Sequence, residues 1–298
     1  MMAARWGYHF IFGLFNILPI KLIFFISDGL VALALLSLKR MRKIARKNLN
    51  IAFGKEKSQS EINEILDSYF YNLSRGAIET LCYAQRPKFI MERMHLSPGS
   101  KKNLETALKE NKGVLAVSAH FGNFPLMLLY LAKSGYPVNA MIRPNPDKTI
   151  EHSFELRRSQ MGLKTIPSYP RKSCVHQSLR ALRNKEIVAI LMDQHTGSKA
   201  GVFVDFFGLK ARTPPGAVVF AMRTGSPILP IFTVRDGETS HKVIVEPHFY
   251  LEEKSTDAET LQYNVQKITN IIEDYIRKYP KEWVWMHRRW KSQPDQGS

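Results

Sequence analysis

The chain has 298 residues, room for one large α/β domain or two small ones with a sizeable core. Its 43 Lys and Arg against 26 Asp and Glu leave a net charge of +17, which favours polyanionic partners: nucleic acid, anionic lipid headgroups or an acidic carrier protein. The two cysteines, Cys82 and Cys174, lack metal-ligand spacing; this argues against a disulfide framework or a zinc site and fits a reducing compartment.

In chain order, Tyr8 to Leu38 is mostly Phe, Leu, Ile, Val and Ala, interrupted by Pro19, Lys21 and Asp28. A spanning helix wants about 20 predominantly apolar residues. Neither half of this segment reaches that length without including an interruption. Three arrangements fit: one span, two interfacial helices, or a hairpin dipping into one leaflet. The basic run Lys39-Arg-Met-Arg-Lys-Ile-Ala-Arg-Lys47 follows directly, as on the cytoplasmic side of a membrane in contact with anionic lipid. Residues 1–47 are therefore expected to form a membrane-associating unit, ahead of a main domain over 48–291 and a disordered tail over 292–298.

Residues 48–90 read as helical, with Ser58 or Ser60 as a helix N-cap, and a shorter helix covers Leu104 to Glu110. From Gly113 onward strands alternate with helices. The strands are Val114–Ser118, Val138–Arg143, Lys164–Pro167, Ile187–Met192, Ile228–Val234 and an edge strand His241–Glu246. The helices are Phe124–Ser134, Asp147–Gly162, Cys174–Asn184, Ala217–Thr224 and Asp257–Tyr279. This alternation predicts an α/β fold with a mostly parallel central sheet flanked by helices, preceded by the N-terminal apolar membrane-associating helical segment.

Chemistry is expected where strands end. His120 stands where the apolar run Gly113-Val-Leu-Ala-Val-Ser118 gives way to Gly122 and Asn123. A histidine there suits a general base, because an imidazole titrates near neutral pH. Gly122 would let a ligand approach the backbone, and a helix starting near Phe124 would point free N–H groups into the same space, an oxyanion site. Asp193 and Gln194 follow the strongest strand, at the carboxyl end where open α/β sheets bind ligands. Asp205, Phe206 and Phe207 form an apolar loop whose aromatic rings could line an acyl pocket. Arg143, Arg157 and Arg158 could each grip a phosphate. The C-terminal run Trp283-Val-Trp-Met-His-Arg-Arg-Trp-Lys291, including Arg288 and Arg289, suits a membrane interface or a phosphate-bearing ligand; a nucleic-acid reading is the poorer one beside the apolar N-terminus.

Taken in order, Arg46-Lys-Asn-Leu, Phe53-Gly54, Ala119-His-Phe-Gly-Asn-Phe, Met192-Asp-Gln, Val204-Asp-Phe-Phe-Gly, Ala221-Met-Arg-Thr-Gly-Ser-Pro-Ile-Leu-Pro230 and the Trp-rich run resemble the bacterial lipid A biosynthesis lauroyl/myristoyl acyltransferase family, a branch of the glycerolipid acyltransferase superfamily. The resemblance implies a bacterial inner-membrane enzyme on the cytoplasmic face. Such an enzyme moves a fatty acyl chain from acyl carrier protein or coenzyme A to a hydroxyl of a glycolipid such as a lipid A precursor. It implies no metal, no bound cofactor and no nucleic-acid partner.

The family's motif is a histidine followed, after four residues, by Glu or Asp. Here that position is Pro125. His241 with Glu246 and His248 with Glu253 have the spacing but fall away from the expected sheet end, and are read as coincidences. Three readings follow. Asp193, or failing it Asp205, orients His120 in place of the missing acid; His120 works alone with a water or backbone partner; or the protein is a catalytically inactive lipid-binding relative. The first is preferred, with His120 and Asp193 as the catalytic pair. Gly122, Asn123, Arg143, Gln194, Asp205, Phe206, Phe207, Arg288 and Arg289 are the substrate-binding candidates.

Overall fold

Strand β2 (Val114–Ser118) lies inside a seven-stranded sheet and is buried along its whole length. The structure, a computed structural model, describes residues 13, 18–19, 22–26, 38–83, 86–198 and 200–294. The other strands are β1 (Met94–Leu96), β3 (Val138–Ile142), β4 (Lys164–Pro167), β5 (Ile187–Leu191), β8 (Ile228–Arg235) and β9 (His241–Val245), in spatial order β1-β9-β8-β2-β5-β3-β4. All neighbours are parallel except β8 and β9. Helices cover both faces: α1 (Lys39–Phe53), α2 (Gln59–Tyr83), α3 (Pro87–Arg93), α4 (Ser100–Lys109), α5 (Phe124–Lys133), α6 (Lys148–Gln160), α7 (Arg171–Arg183), α8 (Gly216–Thr224) and α9 (Asp257–Lys278).

Side chains alternate across a strand, so β2 feeds two cores. Val114 and Ala116 join one with Leu126, Leu129 and Ile187, while Leu115 and Val117 join the other with Val188, Ile190 and Ile268. A strand buried on both faces must be apolar throughout, which is why β2 and β5 read as continuous hydrophobic runs. Ser58 caps α2, accepting from the Glu61 N–H while the Glu61 carboxylate accepts from the Ser58 N–H. Thr256 and Glu259 form the same reciprocal box at the start of α9.

Three expectations change. His241–Val245 is not an edge strand, because the short β1 pairs outside it. The 204–208 stretch is not a loop returning to the sheet. Strands β6 (Val202–Phe206) and β7 (Leu209–Thr213) form a separate antiparallel hairpin. Its two-residue turn puts Phe207 at φ 53° and Gly208 at φ 72°, the left-handed pair that matches hairpin twist. Helix α9 covers the hairpin: Gln266 accepts from the Asp205 N–H at 2.7 Å and donates to its carbonyl at 2.9 Å. The basic run is also not a separate element, since α1 continues through Lys47 to Phe53.

The expected N-terminal membrane segment lies mostly outside the described residues. Of it, residues 22–26 are helical, with Ile23 and Phe24 buried and Phe25 77 % exposed. Among the described residues no helix is long and apolar enough to cross a membrane.

Candidate active site

The register of β2 and β5 assembles the site. Ser118 pairs with Leu191 in parallel register. Two residues beyond each strand end, His120 and Asp193 stand opposite one another. Adjacent strands run about 4.8 Å apart, so side chains at matched positions on one face are neighbours. His120 Nδ1 lies 2.9 Å from Asp193 Oδ1. The second carboxylate oxygen accepts the Trp283 indole N–H at 2.8 Å.

Trp283 is delivered by the C-terminal segment, which runs antiparallel beside the histidine loop. The Val284 N–H donates to the His120 carbonyl at 3.1 Å, and the Gly122 N–H donates to the Glu282 carbonyl at 2.9 Å. Gly122 has φ 55°, and a Cβ there would meet the Thr233 carbonyl oxygen at 1.9 Å. No other residue fits, so this glycine is fixed by packing against β8.

Asp193 is fully buried, whereas the His120 side chain is 30 % exposed. Burial alone would raise the Asp193 carboxyl. Hydrogen bonds and charge from His120 and the Trp283 N–H outweigh it and hold the carboxyl below its ordinary range. An ionised carboxylate only accepts, so it fixes the imidazole proton on Nδ1 and leaves Nε2 as the base. His120 lines a cavity of about 290 Å³ with Tyr69, Phe124, Gln194, Glu282 and Met286.

A second cavity, about 260 Å³ and almost wholly apolar, adjoins it, and Phe124 lines both. Its walls include Leu128, Leu129, Ala140, Met141, Ala189 and Leu191, with Arg157 and Arg158 also lining it. Pro125 belongs to this wall. A carboxylate at position 125 would face hydrocarbon, where an unpaired charge costs several kcal/mol or takes up a proton. Pro125→Glu is therefore expected to lower acyl transfer about tenfold or more rather than raise it, read as initial rates with the variant's melting temperature as control.

The remaining predicted residues fall out as follows. Gln194 lines the histidine cavity. Asn123 also borders it, but its side-chain amide is engaged inside the protein. It donates to the Gly76 carbonyl at 3.0 Å, accepts from Thr80 Oγ1 at 2.8 Å, and caps α5 through the Leu126 N–H. At the expected oxyanion site of the α5 N-terminus, Pro125 has no N–H, and those of Gly122, Leu126 and Met127 already have acceptors. Arg143 is exposed past β3 and is not among the residues lining either cavity. Asp205 is an exposed partner of Lys210 at 2.9 Å, so it does not orient His120.

Phe206 and Phe207 do not line the apolar cavity. They are 1 % and 6 % exposed in a cluster with Phe53, Trp283, Trp285 and Trp290. The Trp-rich run is likewise interior rather than an interface belt at Trp283 and Trp285, both 0 % exposed. Arg289 is also 0 % exposed, donates to the Arg212 carbonyl and Thr213, and lies over the Phe206 ring. Burial pulls its guanidinium down to about 10. Arg288 is exposed and borders a separate groove.

Sequence reasoning missed a buried polar hub beside the histidine cavity, which Arg235 and His241 help to line. Glu79, from α2, receives both terminal nitrogens of Arg235 at 2.7 and 2.9 Å and His241 Nε2 at 2.8 Å. Burial opposes ionisation, but the His241 and Arg235 hydrogen bonds hold the Glu79 carboxyl below its ordinary range. His241 thus pairs with Glu79 rather than Glu246, which accepts from Tyr275. His248 lies by Glu110 at 3.7 Å, so both in-sequence histidine–acid spacings are indeed coincidental. No sequence pattern marked the hub, since its members are 79, 235 and 241. Among the described residues no three His, Cys, Asp or Glu side chains are grouped to hold a metal ion.

The family model described as bacterial lipid A biosynthesis acyltransferase matches residues 1–292. The chain belongs to this family. It is 27% identical over 281 residues to the lipid A biosynthesis palmitoleoyltransferase of Escherichia coli K12, covering 93% of this chain and 87% of that protein. To the lauroyltransferase of the same organism it is 26% identical, covering 93% and 88%. It is also 22% identical to a phosphatidylinositol mannoside acyltransferase of Mycolicibacterium smegmatis, over 63% of this chain and 60% of that one. As a member of the lipid A acyltransferase family the protein is an acyltransferase.

Proposed function

We propose that this acyltransferase moves a fatty acyl chain from a thioester of acyl carrier protein or coenzyme A to a hydroxyl of a glycolipid such as a lipid A precursor, with His120 as general base. The observation that carries the reading is the His120–Asp193–Trp283 chain, with Nε2 left facing a cavity. The acceptor hydroxyl gives its proton to Nε2 as its oxygen attacks the thioester carbonyl. The imidazolium that forms is stabilised by the ionised Asp193. When the tetrahedral intermediate collapses, the C–S bond breaks and the thiolate takes the proton from Nε2. The products are an ester and a free thiol, and the enzyme is regenerated without any other cofactor.

The apolar cavity beside Phe124 is the place for the acyl chain. Burial there stabilises about 0.8 kcal/mol per methylene, enough for chain length to be read by depth. Asp193 takes the orienting role that position 125 holds in the family, which favours a working enzyme over the inactive lipid-binding reading. The N-terminal apolar segment and the basic α1 favour a position on the cytoplasmic face of the inner membrane, attracted by anionic lipid at roughly 1 kcal/mol per basic residue near the surface.

Mass spectrometry of total lipids from cells with and without the gene tests the proposal. A glycolipid lacking one acyl group is expected in the deleted strain, restored by the wild-type gene. Unchanged lipids, together with no turnover of any acyl thioester by the purified protein, would sink it.

A further inference from the structure

Met286 lines both the histidine cavity and a third hollow, a groove of about 460 Å³ between α1 and the C-terminal segment. The three hollows therefore run in series. The apolar cavity meets the histidine cavity at Phe124, and the histidine cavity meets the groove at Met286. His120 stands in the middle one.

The groove has a different chemistry from the other two. Arg40, Arg288 and Lys291 bring positive charge to it, and His195 and His287 add imidazoles. No carboxylate is among its described lining residues. His287 Nε2 accepts the His195 backbone N–H at 2.9 Å, which fixes the neutral tautomer with its proton on Nδ1, a hydrogen-bond donor. Burial, and then the cations Arg289, Lys291 and Arg212, push the His195 imidazole below its ordinary range. Burial is the larger cause, and the three cations act in the same direction. One of them, the buried Arg289 guanidinium, is held by the Arg212 carbonyl and Thr213. Met41 and Ile44 on α1, and Met286, add apolar surface to the same lining. A hollow that combines cationic and imidazole donors with hydrocarbon suits an anionic headgroup carried on an apolar tail.

We propose that this groove binds a phosphate ester on the headgroup of the glycolipid acceptor, on the far side of His120 from the acyl chain of the donor. The inference rests on the acyl-transfer reading above. Direction comes from the order of the hollows. The acyl tail of the donor belongs in the apolar cavity. The acceptor hydroxyl must reach Nε2 from another side, and the groove shares the Met286 wall with the histidine cavity.

The test uses the full chain in detergent, with a phosphorylated lipid A precursor and the same lipid after phosphatase treatment as acceptors. The double variant Arg288→Glu, Lys291→Glu is compared with wild type. The KM for the phosphorylated acceptor is expected to rise about 10- to 100-fold, and the preference for it over the dephosphorylated lipid to collapse to within about twofold. Inorganic phosphate at millimolar concentration should compete weakly with the phosphorylated lipid; full competition would mean that free phosphate is the ligand and overturn the headgroup assignment. A raised KM for the acyl thioester instead of the acceptor would make the groove a donor site and also overturn it. Co-sedimentation with neutral phospholipid vesicles doped with either acceptor reads binding without turnover. Turnover with no change of preference in the variant sinks the groove assignment. Preferential binding without turnover upholds it while sinking the acyl-transfer reading.

Discussion

Replacing His120 with alanine is expected to lower kcat/KM for acyl transfer by about 10³- to 10⁴-fold while the protein still folds. General-base assistance is worth about 10²- to 10⁴-fold, and here the same ring also returns the proton to the leaving thiolate. At about 1.4 kcal/mol per factor of ten, the loss corresponds to roughly 4–5.5 kcal/mol of transition-state stabilisation. The side chain is partly exposed and its ring packs edge-on against Phe124 at 5.2 Å, so its removal leaves the cores untouched. Thermal unfolding should shift little. Single-turnover rates at saturating donor provide the measurement, and a variant retaining more than a tenth of wild-type turnover would show that His120 is not the base.

Asp193→Asn is expected to cost about 10²- to 10⁴-fold in kcat, with less effect on KM. The neutral amide has one acceptor and one donor end, and the Trp283 N–H and His120 Nδ1 both face position 193. If the Asn oxygen keeps the indole, its NH₂ faces Nδ1 and demands the opposite tautomer, with the proton on Nε2 where the base must be vacant. The substitution also removes a buried charge interaction. Because the folded-state carboxyl is held below its ordinary value of 3.8, Asp193 contributes stability above that pH and loses it as pH falls further. The wild type is thus expected to lose stability in acid below about pH 4 more steeply than Asp193→Asn. Asp193→Glu separates orientation from charge: it keeps the charge but lengthens the arm, and a wild-type rate in that variant would refute an orienting role.

Much of this site could be read from the chain, because local sequence reports local events. Continuous apolar runs bounded by Gly, Asn or Asp marked β2 and β5 and their carboxyl ends, and hence His120, Asp193 and Gln194. The aromatic residues were harder. Phe206 and Phe207 as neighbours in sequence carry no sign of whether their faces meet a cavity or a core, and in the fold Phe206 packs on the Trp283 that holds Asp193, with Phe207 against Phe206. The glycine at 122 was legible as a special position but not for its reason, since the carbonyl it must avoid comes from Thr233 on another strand. Arg288 and Arg289 are adjacent in sequence, yet one lies on the groove and the other is sealed in the interior.

The sequence by itself determined the alternation of strands and helices, the family and the histidine proposed as base. It left open which acid stands behind His120, because the missing carboxylate at Pro125 could be replaced from anywhere in the chain. That was decided by the tertiary structure. Two strands whose order in the sheet is not their order in sequence lie side by side in register, bringing residue 193 to within 2.9 Å of residue 120. Strand pairing is set by how apolar faces pack over the whole sheet, and no short window of sequence contains that sum.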